Sequence, residues 1–224
     1  MADYEEQTAS KKLAGFIEKR KVAFIVILVA FICALVGYVV CASVANNNKL
    51  KGLQAIDEIT YEMTDKSSGL SEDEIAARLN TGFEKASAYA KKGGIVGARA
   101  NMLCADITFQ QKKYAESAEY WKAAAEKSKK SYIAPLSYFN AATCYEELGN
   151  TDDAAAYYKL AADNTSFVMR THAMFSYGRV LEAKADFAGA AAVYTELNDN
   201  FSGDSWADLA KSRLIALKKD GKIE

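Results

Sequence analysis

The sequence predicts an all-α protein, with an N-terminal transmembrane helix followed by an α-solenoid of helical hairpins. Three observations predict it. The 224 residues hold one proline and 13 glycines among abundant Ala, Leu, Glu and Lys, a balance that favours helices over sandwiches and barrels. Residues 22–44, VAFIVILVAFICALVGYVVCASV, run 23 positions without a charge. Between residues 98 and 202, small and aromatic residues recur at a nearly fixed offset, as they do in stacked repeats.

The first element is a short charged tail, residues 1–21. The apolar run that follows is about 34 Å long at ~1.5 Å per helical residue, enough for a hydrocarbon core of about 30 Å. A cleaved signal peptide has a shorter apolar region, about 7–15 residues, ending in small residues. A lipoprotein signal wants a small residue just before its cysteine, whereas Cys41 follows YVV. Lys11, Lys12, Lys19, Arg20 and Lys21 flank the run on one side, against Lys49 and Lys51 close on the other. That excess predicts a single-pass protein of the cytoplasmic (inner) membrane, with its N-terminus cytoplasmic and its C-terminal domain periplasmic or otherwise extracytoplasmic.

Residues 45–97 read as a first helical hairpin. ANNNK is an expected break, since asparagine competes with helical backbone bonding. Leu50, Leu53, Ile56, Ile59 and Met63 then recur at helical spacing up to DKSSG. Ser71 with Glu74 forms a capping box, and Ile75, Leu79, Phe83, Ala86 and Ala90 make the apolar face of a second, antiparallel helix. Gly93 and Gly94 end it.

Three units follow, 98–134, 135–170 and 171–202. At an offset of 36, Phe139 aligns with Phe175, Ala142 with Gly178, Ala154 with Ala190 and Tyr158 with Tyr194. At 37, Ala105 falls under Ala142, Tyr114 under Thr151 and Trp121 under Tyr158. Helices cross closely only where small side chains sit between them, and large ones must fill the spaces beside the crossing. Tyr145, Tyr158 and Tyr194 are expected there, with hydroxyls that reach water or a backbone partner. Residues 203–224 form a last helix, capped by Asp204 or Ser205, whose stripe Trp206, Leu209, Ala210, Leu214 and Leu217 covers the end of the stack.

The spelling resembles the tetratricopeptide repeat family on Tyr138, Ala141, Ala142, Tyr145, Gly149, Ala154, Tyr158 and Ala161. It departs where Ser117 replaces an alanine, where Ala185 replaces the turn glycine, and where no unit has the closing proline. The resemblance implies that the first helix of each unit lines a concave face that binds protein or peptide partners. It places Arg99, Met102, Asp106, Phe109, Leu136, Phe139, Thr143, Glu146, His172, Phe175, Arg179 and Glu182 on that face. Met102, Phe139 and Phe175 are costly to leave wet, so the groove takes either an apolar or amphipathic partner segment or residues 50–63 of this chain. Phe139→Asp with Phe175→Asp is then expected to abolish capture and keep the helical signal. The face lacks the full lysine, asparagine and arginine arrangement of repeats that clamp a C-terminal carboxylate.

The composition argues against other classes. With 28 basic and 29 acidic side chains there is no basic footprint for nucleic acid. The single histidine, His172, has no ligands at metal-binding spacing, and no nucleophile motif or phosphate-cradling loop occurs. No catalytic residue, metal or cofactor is therefore expected. Cys104 and Cys144 read as buried free thiols, with a bridge between them as the alternative. The layout of tail, span and repeat domain resembles the ancillary subunit family of the Sec translocon, which implies association with the translocon and with periplasmic chaperones that receive emerging chains. An envelope-assembly or cell-division scaffold, and a regulatory accessory subunit of a membrane enzyme, are the alternatives.

Overall fold

The computed structural model describes residue 11, residues 14–65 and residues 68–224. Lys12, with most of the predicted tail, lies outside the described residues, as do Lys66 and Ser67. Among the described residues all regular structure is helical: α1 (Lys21–Thr64), α2 (Glu72–Ala90), α3 (Gly94–Gln110), α4 (Tyr114–Lys127), α5 (Ile133–Glu147), α6 (Thr151–Ala162), α7 (Arg170–Ala183), α8 (Phe187–Asn200) and α9 (Ser205–Lys219). The chain divides into two units, Met1–Lys51 and Gly52–Glu224.

The first unit holds the apolar part of α1, which is long and apolar enough to cross a membrane and has none of that stretch buried against protein. The expected break at ANNNK is absent, because α1 runs through Asn46, Asn47 and Asn48. Asparagine costs only about 0.7 kcal/mol or less in a helix interior, too little to stop one without a glycine or proline.

The second unit starts where the end of α1 lies antiparallel to α2. Gly82 leaves room for the Met63 side chain, whose Sδ would stand 2.2 Å from a Cβ there. Arg78 donates to the Asp65 carbonyl at 2.5 Å, and Lys85 meets Glu62 at 2.5 Å. The Ser71–Glu74 capping box is formed in both directions. Ile75, expected on the apolar face, is exposed, and the close contact is made by Gly82 and Ala86 instead.

From α3 onward each helix packs against its neighbours in sequence and the direction alternates. The turns after α3, α5 and α7 share one solution. Lys112, Gly149 and Ala185 have φ of 59°, 70° and 60°, and the next residue's N–H reaches back to Thr108, Tyr145 and Leu181 carbonyls at 2.8, 2.9 and 2.9 Å. This closes orphan carbonyls at each helix end. Asn150 and Asp186 then cap α6 and α8 with their side chains.

Small residues at the crossings are fully buried: Ala105, Ala142, Ala154, Ala161 and Ala190 are all 0% exposed. Trp121, Tyr158 and Tyr194 fill the adjoining spaces, each ring stabilising the stack by about 1.5–3 kcal/mol through burial. Ser117 stands where an alanine was expected because it has polar work in the core. Its hydroxyl donates to the Ala105 carbonyl at 2.8 Å and accepts from Cys144 Sγ at 3.3 Å. Cys104 and Cys144 are free, and burial pushes the Cys104 thiol up to about 12, so it acts as a small apolar side chain. In α9, Ala207, Ala210 and Leu217 are buried whereas Leu209 is exposed, which turns the packed stripe slightly from the expected one.

Candidate functional site: a charged groove across the repeats

The first helices of successive hairpins, α3, α5 and α7, place an open groove of about 740 Å³ on one face of the second unit. Asp106 and Phe109 come from α3, Phe139, Asn140, Thr143, Glu146 and Glu147 from α5, and His172, Ser176 and Arg179 from α7. Trp121 and Tyr158 reach it from the second helices. The 3.6-residue period explains the assembly, since positions three and four apart share a helix face and three such faces converge.

Of the residues expected on this face, Asp106, Phe109, Phe139, Thr143, Glu146, His172 and Arg179 line the groove. The others are placed elsewhere. Arg99 pairs with Asp57 at 2.6 Å. Met102 is half-buried against Ala98, Ala124 and Ile133, and Leu136 against the large core around Tyr158. Glu182 is held by Arg213 and Tyr194. Phe175 is covered by Trp206 of α9, ring centroids 5.3 Å apart.

Two expectations about the apolar residues are corrected. Phe139 is only 8% exposed, with Tyr158, Phe167 and His172 rings at 5.3, 6.3 and 4.8 Å. It is a wall of the core, and a charge there would unfold the repeat rather than leave its helices intact. Residues 50–63 do not line the groove: Leu53 and Ile56 pack with Val96 and Ala100 near the start of α3. The covering role falls to α9, where Trp206 stacks on His172 at 3.8 Å and 7°.

The sequence reading missed Trp121, Asn140, Glu147, Tyr158 and Ser176. Asn140, Glu147 and Ser176 each follow a nominated residue by one position, within reach of an inward stripe wider than one side chain. Trp121 and Tyr158 belong to second helices and read as packing alone. That packing has a polar end.

Tyr158 donates to Glu146 Oε2 at 2.5 Å, and Arg179 donates to the same oxygen at 2.7 Å. One repeat later Tyr194 donates to Glu182 Oε1 at 2.6 Å, and Arg213 Nε donates to it at 3.0 Å. Each tyrosine thus finds a carboxylate rather than the backbone, and each carboxylate ties its hairpin to the next first helix. Burial raises both phenols, and the carboxylate hydrogen bonds raise them further, so both stay protonated donors. The first repeat, residues 98–134, carries Phe109 and Trp121 at the corresponding positions, leaving its part of the groove aromatic.

The lining holds three carboxylates against one guanidinium. Glu146 is neutralised by Arg179, while Asp106 and Glu147 have no ion-pair partner among the described residues. Asp106 is open to solvent, yet the concave wall displaces enough water that burial raises its carboxyl to about 6. His172 is pushed down by burial first and by Arg179 second, which keeps the imidazole neutral near pH 7.

Residues 102–168 match the tetratricopeptide repeat family model, a range that includes most of α3 and all of α4, α5 and α6. This segment is a tetratricopeptide repeat region. The chain is similar to a "TPR repeat-containing protein" of Treponema pallidum (strain Nichols), 35% identical over 150 residues, which make up 67% of this chain and 61% of the relative. The chain therefore spans about three fifths of that relative's length. With Glu182 and Arg213 repeating the Glu146–Arg179 arrangement, the repeat geometry extends past the matched range into α7, α8 and α9.

Proposed function

We propose that the protein is a membrane-anchored protein–protein interaction module whose tetratricopeptide groove holds an extended segment of a partner protein. The groove carries this reading: the half-buried ring of Phe109, backed by the buried Trp121 and Phe139, stands with Asp106 and Glu147, two carboxylates without ion partners among the described residues. Such a surface favours a segment with apolar side chains and at least one Lys or Arg. Residues 22–44 anchor the module, with the tail inside and the repeats outside the cytoplasm, as the basic flank Lys11, Lys12, Lys19, Arg20 and Lys21 supports. A membrane-impermeant protease added to spheroplasts is expected to remove the repeats, and full protection would reverse this orientation.

The finer reading is a role beside the Sec translocon, receiving emerging chains and passing them to periplasmic chaperones. It rests on the layout of tail, span and extracytoplasmic repeats. A photocrosslinking amino acid at Asn140, which faces the groove without forming its core, is the direct test. Translocon subunits, nascent secreted chains or periplasmic chaperones in the crosslinked product support the translocation role. Capture of envelope-assembly proteins or of one membrane enzyme would replace it, and a product linking Asn140 only to its own chain would remove the binding role.

A further inference from the structure

Five lysines share one end of the second unit. Lys91 and Lys92 follow α2, Lys127 closes α4, and Lys129 and Lys130 lie in the turn to α5. Lys91 and Lys127 border one surface hollow with Tyr120. A Cβ on Gly97 would stand 1.8 Å from the Lys92 carbonyl oxygen and 3.0 Å from Lys127 Cδ, so these three residues converge. Neither 91–93 nor 127–132 contains a carboxylate. Among the described residues only Lys129 of the five has an ion pair, with Glu126 at 2.7 Å, both side chains being about two-thirds exposed, and such a pair is worth little.

The same end exposes apolar groups in its turns. Tyr132 is 65% exposed and Val168, in the turn between α6 and α7, is 95% exposed. Lys129 and Lys130 precede the exposed Tyr132 in one turn, while the Val168 turn carries Asp163, paired with Lys159 at 2.7 Å. Ammonium groups beside an exposed ring, with an exposed aliphatic side chain at the same end, suit a lipid headgroup layer, which offers phosphates outside and acyl carbons just beneath. Chain connectivity favours the same occupant. Gly52 begins the second unit at this end, seated against Val96, where a Cβ would meet Val96 Cγ1 at 2.8 Å. Seven residues, 45–51, separate it from Val44, the last of the apolar run, which makes eight residue-to-residue steps. At ~3.5 Å per extended step those eight steps reach at most about 28 Å, whatever path they take.

We propose that this lysine-bearing end, with Tyr132 and Val168, lies against the anionic phospholipid headgroups of the membrane that residues 22–44 cross. The inference rests on the reading of 22–44 as a span and holds for either face of a membrane rich in anionic lipid. The contact keeps the groove of a tethered module at a set height above the bilayer, where partner segments leave the membrane.

The test uses the full chain reconstituted in phosphatidylcholine vesicles with or without phosphatidylglycerol, the lipid headgroups carrying a contact quencher. A fluorescent aromatic amino acid replaces Tyr132 in one sample and Leu148 in another, the residues flanking α5 at its two ends, about 24 Å apart at ~1.5 Å per residue. Strong quenching at 132, near none at 148, dependence on phosphatidylglycerol and loss in 1 M salt are expected. Lys91→Glu, Lys92→Glu, Lys129→Glu and Lys130→Glu together should bring quenching at 132 down to the level at 148. Protein that floats with the vesicles after an alkaline wash but shows equal quenching at both sites overturns the headgroup contact and leaves the span intact. Quenching at 132 that ignores phosphatidylglycerol overturns it as well and turns the patch toward an acidic protein. Failure to float overturns the span reading, and the headgroup contact with it.

Discussion

Ala185 holds a left-handed backbone, φ 60°, where the preceding repeat uses Gly149. A Cβ costs roughly 1–2 kcal/mol in that conformation. Glycine would remove the strain but costs about 0.4–1 kcal/mol of added unfolded-state entropy. Ala185→Gly should therefore stabilise the protein by about 0.5–1 kcal/mol, read as a rise in Tm; an unchanged or lower Tm would mean that the turn relaxes around alanine. Asp106 poses the opposite case, a residue that costs stability where it stands. Its carboxyl is raised from 3.8 to about 6 by burial. The sign follows: the folded state favours the neutral acid, so this contribution is full below about pH 3.8 and is lost as pH rises through about 6. Asp106→Asn should raise Tm at pH 7.5, with the gain shrinking to nothing toward pH 4. A gain independent of pH would contradict the raised carboxyl. A solvent-open acid kept at such a cost in a groove is a candidate for meeting a partner's cation.

At the scale of helices, the close approach of α7 and α8 is set by one missing methyl. A Cβ on Gly178 would stand 2.5 Å from Tyr194 Cε1, and Tyr194 is 0% exposed with its hydroxyl held by Glu182. At the equivalent point between α5 and α6, Ala142 fits beside Tyr158. Gly178→Ala gains about 1 kcal/mol of helix propensity and loses about 1–3 kcal/mol to overpacking. The clash should win, because the ring is fixed at both its edge and its hydroxyl. A lower denaturation midpoint with an unchanged slope is expected, and an increase would show that α8 can shift outward at no cost. The Glu182 anchor has its own pH signature. Burial raises its carboxyl, but the hydrogen bonds from Arg213 and Tyr194 and the Arg213 charge outweigh that and leave it below the ordinary value. Its contribution is present above about pH 4.5 and fades as pH falls through the lowered value, so acid loosens α9 from the stack.

For the whole molecule, the proposed membrane anchor and the repeats should contribute separately, since the apolar stretch of α1, long enough to cross a membrane, is exposed along its length. Val29→Arg with Leu35→Arg places two charges near the middle of the apolar run, each costing about 2.5–3.5 kcal/mol on insertion scales. The variant should be extracted from membranes by alkaline carbonate while keeping the cooperative unfolding of its repeats. Retention equal to that of the natural sequence would show that attachment resides elsewhere in the chain. The last two hairpins and α9 should unfold together, since the Glu146–Arg179 and Glu182–Arg213 ties and the Trp206–His172 stack link α5, α7 and α9.

Sequence alone determined the helical class, the apolar run, the Ser71 cap and the repeat offsets, because each depends on local spacing that the 3.6-residue period converts directly into a buried or exposed face. It also named most of the groove, since Asp106, Phe139, Glu146, His172 and Arg179 repeat at a helical register. Tertiary structure decided what those residues do there. Phe139 and Phe175 are apolar and inward in any reading, but only the placement of Phe167 and Trp206 determines whether they stay open to a partner or are covered. Likewise no local pattern distinguishes Glu146, neutralised by Arg179 33 positions on, from Asp106, which has no ion-pair partner among the described residues in the same groove. Ion pairing and burial between distant segments depend on how successive hairpins rotate against one another, and that rotation comes from the packing of whole side chains, which residue spacing does not encode.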